Sequence, residues 1–409
     1  MRATCTPTGP VIPSSLRTSP PRSTRPVQRR AAPPSRPPYR PFTTRLVHDP
    51  AVHDPAAHDP AGHDPAVNDP LDHHGDVELD GTLVDFAVNV RVSEPPPWLA
   101  TELRAAVDTL AAYPRPDAAR AALARRHGVA DAMVLPTNGA AEAFGLLAAA
   151  LAPRHPVVVH PQFTEPEAAL RRAGRVVHRH VLDPATGFAL GASTLDVECD
   201  LVVVGNPTNP TGVLHARATL DGLRAPGRVV VVDEAFMDAV PGEPESLIST
   251  EMTDLLVLRS LTKTWALAGL RAGYVVGDPA LVARLAAVQP HWSVNSLAAV
   301  AMERASTAAA VAEATAAAGE LAGWRDHLVR GLHRLGLHVQ RSSAPFVLAE
   351  VGTGVREALR ANGYAVRRGD TFPGLGPQWV RIAVRDPHTT DGLLRELAGV
   401  LTRAEELTA

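Results

Sequence analysis

One lysine stands in this chain of 409 residues. Lysine and arginine together number 40, so every other member of that pair is arginine. A composition biased toward arginine accounts for the rarity, because either cation serves on an ordinary surface. It does not account for the exception. Guanidinium stays protonated at any ordinary pH, whereas an ammonium can be tuned down by its surroundings. The chemistry that needs such an amine is attack on a carbonyl carbon to form a Schiff base. Lys263 lies in Ser260-Leu261-Thr262-Lys263-Thr264-Trp265, and the competing reading is one surface lysine kept by chance.

Two more loops carry polar residues of the right kind. The run from Arg228 to Val232 delivers Asp233-Glu234-Ala235-Phe236, and a carboxylate there either caps the next turn or holds a cation at a ligand crevice. The run Leu201–Val204 ends in Gly205-Asn206-Pro207-Thr208-Asn209-Pro210-Thr211-Gly212, whose Asn-Pro and Pro-Thr-Gly steps impose a rigid turn. Three crevice loops thus supply an amide, an acid and an amine. Familiar nucleotide signatures fail. The residue before the lysine is Thr262 rather than glycine, which removes a phosphate-binding P-loop, and no Gly-x-Gly-x-x-Gly or His-Glu-x-x-His occurs in the required context.

The elements that position these residues follow from the apolar pattern. Runs at Val157–Val159, Leu201–Val204, Val229–Val232 and Leu255–Leu258, separated by polar or helical stretches, read as buried parallel strands of an α/β sheet. A short strand at Leu83–Val90, helices from Trp98 to Tyr113 and from Asp117 to Gly128, and a strand at Met133–Leu135 precede them. Beyond residue 291 the texture changes to a long alanine-rich helical region ending near Leu335, then Phe346–Val351, a helix, Val380–Val384 and a last helix. We therefore expect a disordered arm over 1–74, an N-terminal segment with a large, mostly parallel α/β domain over 75–290, and a smaller α+β domain over 291–409.

Asn-Pro-Thr-Asn-Pro-Thr-Gly, Val-Asp-Glu-Ala-Phe, Ser-Leu-Thr-Lys and Gly-Leu-Arg-Ala-Gly-Tyr, in this order, resemble the fold-type I pyridoxal-phosphate enzymes of the class I/II aminotransferase family. Residues 233–238, 258–263 and 290–295 most resemble the threonine-phosphate decarboxylases of cobalamin biosynthesis, with histidinol-phosphate aminotransferases nearest in pattern. The resemblance implies helices on both faces of the sheet, pyridoxal 5'-phosphate as cofactor and a homodimer with shared sites. It implies that Lys263 holds the cofactor aldehyde and later moves a proton, that Asp233 pairs with the pyridinium nitrogen and that Asn209 bonds the ring hydroxyl. Relatives with a tyrosine three residues after the aspartate have Phe236 here, so that bond is lost. Phe163 would stack on the ring, with a core aromatic as its competing reading. The cofactor phosphate would sit on Gly139, Ala140 and Ala141 at a helix start, completed by Ser260 and Arg271, with Tyr113 donated by the partner subunit. Arg381 would take a substrate carboxylate, and Arg368, thirteen residues earlier, a substrate phosphate. Decarboxylation of threonine phosphate is the expected reaction, with transamination of histidinol-phosphate type as the alternative.

Composition bounds the rest. A formal net charge of -3 gives no electrostatic footprint for nucleic acid, which leaves a small molecule as the partner, and the resemblance implies that it is an amino acid or phospho-amino acid. No apolar run approaches the roughly 20 residues that cross a bilayer. Cys5 and Cys199 suggest no disulfide framework or metal site, and a reducing cytoplasm is the expected location. Residues 1–47 hold nine arginines and no acid among many prolines, a composition that cannot bury a core. A five-residue His-Asp-Pro repeat follows, from His48-Asp49-Pro50 to His63-Asp64-Pro65. Loose metal binding or scaffolding through that repeat is the non-enzymatic rival.

Overall fold

Runs of valine and leucine without polar alternation are strands covered on both faces. The computed structural model, which describes residues 70–191, 195 and 198–408, places them in the middle of a seven-stranded sheet. The arginine-rich arm and the His-Asp-Pro repeats lie outside the described residues. Twelve strands form, numbered in chain order: β1 Val84–Phe86, β2 Val134–Asn138, β3 Pro156–His160, β4 His178–Val181, β5 Leu201–Gly205 and β6 Val229–Asp233. The second half comprises β7 Leu255–Ser260, β8 Ala272–Gly277, β9 His338–Val339, β10 Phe346–Glu350, β11 Tyr364–Arg368 and β12 Trp379–Ala383.

The large sheet runs β2-β8-β7-β6-β5-β3-β4. β4, β3, β5, β6 and β7 are parallel, and β8 runs against β7 and β2. Alternate residues feed two separate cores. Val202, Val204, Val230, Val232 and Val257 pack on one side, and Leu201, Val203, Val231, Leu256 and Leu258 on the other. Because β5, β6 and β7 point the same way, their carboxyl ends lie side by side, which is where open α/β sheets hold ligands. Gly205 pairs with Asp233 and Asp233 with Leu258 in the ladder.

The smaller sheet runs β1-β11-β12-β10-β9. Its core includes Phe86, Leu321, Val347, Val366, Val380 and Ile382. β1, which precedes the large sheet in sequence, joins this one by pairing parallel with β11. The helix Ser296–Ala305 contributes to the core of the large sheet through Ala298, Ala301 and Met302.

Helix boundaries follow local chemistry. The helix Asp117–His127 stops where Gly128 adopts φ 65°, the left-handed cap that glycine takes without penalty. The first helix covers only Pro97–Val107 and not the expected stretch to Tyr113. Its last residues turn through tighter bonds, Asp108 N–H to Ala105 O and Thr109 N–H to Ala106 O, and Val107, Leu110 and Tyr113 are exposed, so no buried face rewards another helical turn. The alanine-rich region is two helices, Ser296–Ala305 and Ala308–Arg334, divided where Thr307 caps the second by accepting Ala310 N–H. Among the described residues, no helix is long and apolar enough to cross a membrane, and no group of three or more His, Cys, Asp or Glu is placed to hold a metal.

Candidate active site

A cavity of about 460 Å3 opens at the carboxyl ends of the parallel strands. Lys263, Asp233, Asn209, Phe163, Ala140, Ala141, Ser260, Arg271 and Arg381 all line it. Nine residues spread over more than 240 positions of sequence are thus brought to one space.

Lys263 follows β7 by three residues. Its amine is held down at about 8 from 10.5, first by burial and then by the neighbouring positive charges of Arg381 and Arg271. Asp233 ends β6, and its Oδ1 accepts the Ala235 N–H at 3.0 Å. Burial raises its carboxyl to about 6, and no side-chain cation acts on it among the described residues. A carboxylate in that position is stabilised by any cation that enters the cavity. Phe236 also lines the cavity and meets the Phe346 ring edge-on at 5.0 Å, so its ring is fixed where no hydroxyl is offered.

The loop after β5 is braced from within. Asn206 accepts His215 N–H at 2.8 Å and donates to His215 O at 3.2 Å, while Thr208 N–H bonds Val213 O at 2.9 Å. That leaves the Asn209 side chain directed at the cavity, where its Oδ1 accepts from Arg381 Nη1 at 2.6 Å. Arg381 is 5% exposed. Its Nη2 donates to Ala87 O, its guanidinium carbon lies 5.3 Å from the Phe346 ring centre, and its Nε has no partner. Arginine keeps its proton in such a setting, so this buried charge, which forms no salt bridge among the described residues, is an anion site in waiting.

The helix Gly139–Leu151 begins at the cavity and follows β2 directly. Its free N–H groups and positive dipole end suit a phosphate. Gly139 has φ 75°, and a Cβ there would lie 2.9 Å from Arg271 Nη2. The glycine therefore makes room for the guanidinium against the helix start. Gly139 itself is not among the residues that line the cavity, whereas its neighbours Ala140 and Ala141 line it together with Ser260 and Arg271. Phe163 stands between His74 and Phe144, at ring separations of 5.7 and 6.3 Å.

Two expected residues lie elsewhere. Arg368 faces away from the cavity and grips Asp370, with Nε 2.6 Å from Oδ1. The cavity instead receives Arg367, which is directly opposite Arg381 in the β11–β12 ladder and shares its face. Successive strand residues point to opposite sides, so a shift of one position decides which arginine is presented. Arg367 is 2% exposed, donates from Nη2 to His73 O at 2.7 Å, and lies over the Phe372 ring at 4.7 Å. Tyr113 is 72% exposed and stacks on Trp292 at 4.4 Å, outside this chain's own cavity.

Sequence reasoning did not find the segment that roofs the cavity. His73, His74, Gly75 and Asp76 line it, just ahead of β1. The segment is pinned at both ends: Thr164 Oγ1 donates to Leu71 O at 2.7 Å, and the buried Glu78 carboxylate lies 3.0 Å from His73 Nε2 and 3.6 Å from Arg367 Nη1. Asn89, also in the lining, has a buried Oδ1 without a partner. The tandem His73-His74 was the available signal, obscured by the histidines of the repeat upstream.

Residues 82–401 match the aminotransferase class I and II family. The chain belongs to that family. It is 48% identical over 318 residues to a histidinol-phosphate aminotransferase of Mycobacterium tuberculosis, across 76% of this chain and 86% of the relative. It is 32% identical over 335 residues to the threonine-phosphate decarboxylase of Salmonella typhimurium, across 78% of this chain and 92% of the relative. Among solved structures it resembles an aspartate aminotransferase from Thermus thermophilus with maleate, at TM-score 0.69 and 26% identity, over 78% of this chain and 92% of that one.

As an aminotransferase-family enzyme the protein uses pyridoxal phosphate, and the donor set fits that group. The buried amine of Lys263 suits its aldehyde. The unpaired buried carboxylate of Asp233 suits a cationic ring nitrogen. The Arg271 guanidinium, admitted against the helix start by Gly139, and the free N–H groups of that helix suit its phosphate.

Proposed function

We propose that this enzyme transfers the amino group of a phosphorylated amine of histidinol-phosphate type to a 2-oxo acid. The observation that carries the reading is the pair of buried guanidiniums, Arg381 and Arg367, side by side on one sheet face in the cavity that holds Lys263. Such a pair meets an anionic group on the substrate while the substrate amine meets the cofactor. The motif-level expectation ranked decarboxylation of threonine phosphate first. Identity of 48% to an aminotransferase against 32% to a decarboxylase supports the reverse order.

Bound pyridoxal phosphate supplies an electrophilic aldehyde and a ring that accepts the electron pair left on the substrate Cα. The chain supplies everything else. With its amine near 8, Lys263 is neutral in roughly one molecule in ten at pH 7, against a few in ten thousand for an unperturbed lysine. It is therefore available as a nucleophile and, once displaced by the substrate amine, as the base that takes the proton from the substrate Cα. Asp233 would hold its negative charge against the ring nitrogen, and Asn209, whose Oδ1 accepts from Arg381, would offer its amide N–H to the ring oxygen. Arg381 and Arg367 fix the distal end of the substrate, carboxylate in one half-reaction and phosphate in the other. The His73–Asp76 segment keeps water from the cavity roof.

A homodimer belongs to the same reading. Val107, Leu110, Tyr113, Val288 and Trp292 are all exposed, and a second copy covering them would deliver Tyr113 to the neighbouring cavity. Light scattering during gel filtration tests this, and a monomeric active protein contradicts it. A cytoplasmic location, in keeping with the free Cys199, is tested by cell fractionation. The substrate is tested by incubating the purified holoenzyme with histidinol phosphate or threonine phosphate, with and without a 2-oxo acid, and following amino transfer and carbon dioxide. Transfer from histidinol phosphate without gas release is expected. Carbon dioxide from threonine phosphate with no transfer from histidinol phosphate overturns the proposal.

A further inference from the structure

Asp233 faces the cavity, and the next residue, Glu234, turns the other way into the protein. It is 1% exposed, its Oε1 accepts Leu247 N–H at 2.7 Å and its Oε2 accepts the Ser246 hydroxyl at 2.8 Å. Beneath it lies Arg259, also 1% exposed. The Arg259 guanidinium reaches three acids at once: Nε is 3.7 Å from Glu234 Oε2, Nη1 donates to Asp238 Oδ1 at 3.2 Å, and Nη2 donates to Glu243. Arg126, from the helix Asp117–His127, closes the far side at 3.0 Å from Asp238 and 3.5 Å from Glu243. Tyr274, opposite Arg259 in the β7–β8 ladder, is 2.9 Å from His127 Nε2 through its hydroxyl.

A buried ion cluster of this kind is weak evidence for stability, because desolvation offsets much of the attraction. Its placement is more informative. Glu234 directly follows Asp233, and Glu234 and Asp238 bracket the turn that carries Phe236 to the cavity. Arg259 precedes Ser260 and stands four residues before Lys263. One guanidinium thus joins the segment bearing the acid to the segment bearing the amine. Backbone bonds hold Asp233 in the β5–β6–β7 ladder but leave the turn after it short of restraint: Glu234 N–H meets Leu258 O at 2.9 Å, and beyond that Met237 and Ala239 bond only within the turn.

We propose that Arg259 is a positioning residue for the cofactor, fixing Asp233 and Phe236 relative to Ser260 and Lys263 before pyridoxal phosphate arrives. A site held in its binding geometry loses less freedom on binding. The inference rests on the family's cofactor and not on the choice of substrate, so its test uses none.

Arg259→Lys keeps a charge but loses the planar fork that spans three acids. Asp238→Asn leaves the guanidinium in place and weakens one arm, and it decides the matter if the lysine variant does not fold. Two quantities are read: the dissociation constant for pyridoxal phosphate by absorbance titration of stripped protein, and hydrogen exchange at the amides of Ala235, Met237 and Ala239 without cofactor. Both variants are expected to weaken cofactor binding and speed exchange in the turn by at least about ten-fold. Val158→Ala, a cavity variant in the β3 core, serves as the control for general destabilisation and is expected to leave the cofactor constant within about two-fold. The proposal is overturned if Arg259→Lys and Asp238→Asn bind the cofactor as tightly as the parent, or if Val158→Ala weakens it equally.

Discussion

Replacing Asp233 with asparagine should make the cofactor-free protein more stable at pH 8, and bound cofactor should cancel most or all of that advantage. In the unfolded chain the carboxyl titrates near 3.8, and in the fold burial raises it to about 6. Between those values the folded state holds more protons than the unfolded one, so the stability contributed by this group falls as pH rises through the window. Above pH 6 the whole penalty is present. A shift of about two units corresponds to ~3 kcal/mol, taken as an upper bound. Asparagine is neutral throughout, so the variant escapes the penalty and lacks this component of the pH slope. In the presence of pyridoxal phosphate that difference shrinks toward zero, because the parent regains a charge-assisted bond worth roughly 1.5–3 kcal/mol that the amide cannot match. Scanning calorimetry of stripped and loaded proteins at pH 5 and pH 8 measures all four combinations. A stripped variant that melts below its parent at pH 8, or a cofactor-induced rise in melting temperature as large in the variant as in the parent, would refute the assignment of Asp233 as the partner of the cofactor ring.

Three further outcomes are expected. Borohydride treatment of the holoenzyme should fix the cofactor mass on Lys263, the chain's one lysine, and Lys263→Ala should abolish both the label and the visible absorbance; label recovered on another residue contradicts the role given to this amine. Arg367→Ala should raise KM for the phosphorylated substrate about ten- to a hundred-fold, as expected for a lost charge-assisted contact, while Arg368→Ala changes it by less than about two-fold because that side chain is spent on Asp370; equal effects would show that neither reads the phosphate. Removing residues 1–69 should leave turnover unchanged, whereas removing 1–78 should weaken substrate binding by deleting the roof pinned through Leu71 and Glu78; indistinguishable kinetics of the two truncations would deny the roof a role.

How much of this was legible in the sequence depended on the kind of force that places each residue. β5, β6 and β7 were readable because two-faced burial gives each an unbroken apolar run of four, Leu201–Val204, Val229–Val232 and Leu255–Leu258, and knowing that they are parallel fixes Asn209, Asp233 and Lys263 at one end. β8 and β11 were not read. Ala272–Gly277 begins and ends on small residues, and Tyr364–Arg368 carries two arginines, so neither has the continuous apolar run that identified the others. The same gap explains the exchange of Arg368 for Arg367: without a strand assignment there is no register, and a residue's face cannot be stated. The roof over the cavity was hidden for a different reason, since His73–Asp76 has no periodicity and is held by single polar contacts to partners such as Thr164 and Arg367.

The ion cluster under Asp233 shows where pattern reading stops. Arg126 and Asp238 are 112 positions apart, and Arg259 is separated from Glu243 by 16. Nothing in local composition distinguishes these arginines from the exposed ones, because a chain that uses arginine for nearly every positive charge carries no mark on the few that are buried. Lysine is different in this chain. It was informative only because the background is nearly free of it, and an acid that burial raises to about 6, such as Asp233, has no such contrast among the chain's 43 acidic residues. Rarity identified the amine. Position at a strand end singled out the acid, and burial, which only the fold supplies, raises its carboxyl and leaves it without a cation of its own among the described residues.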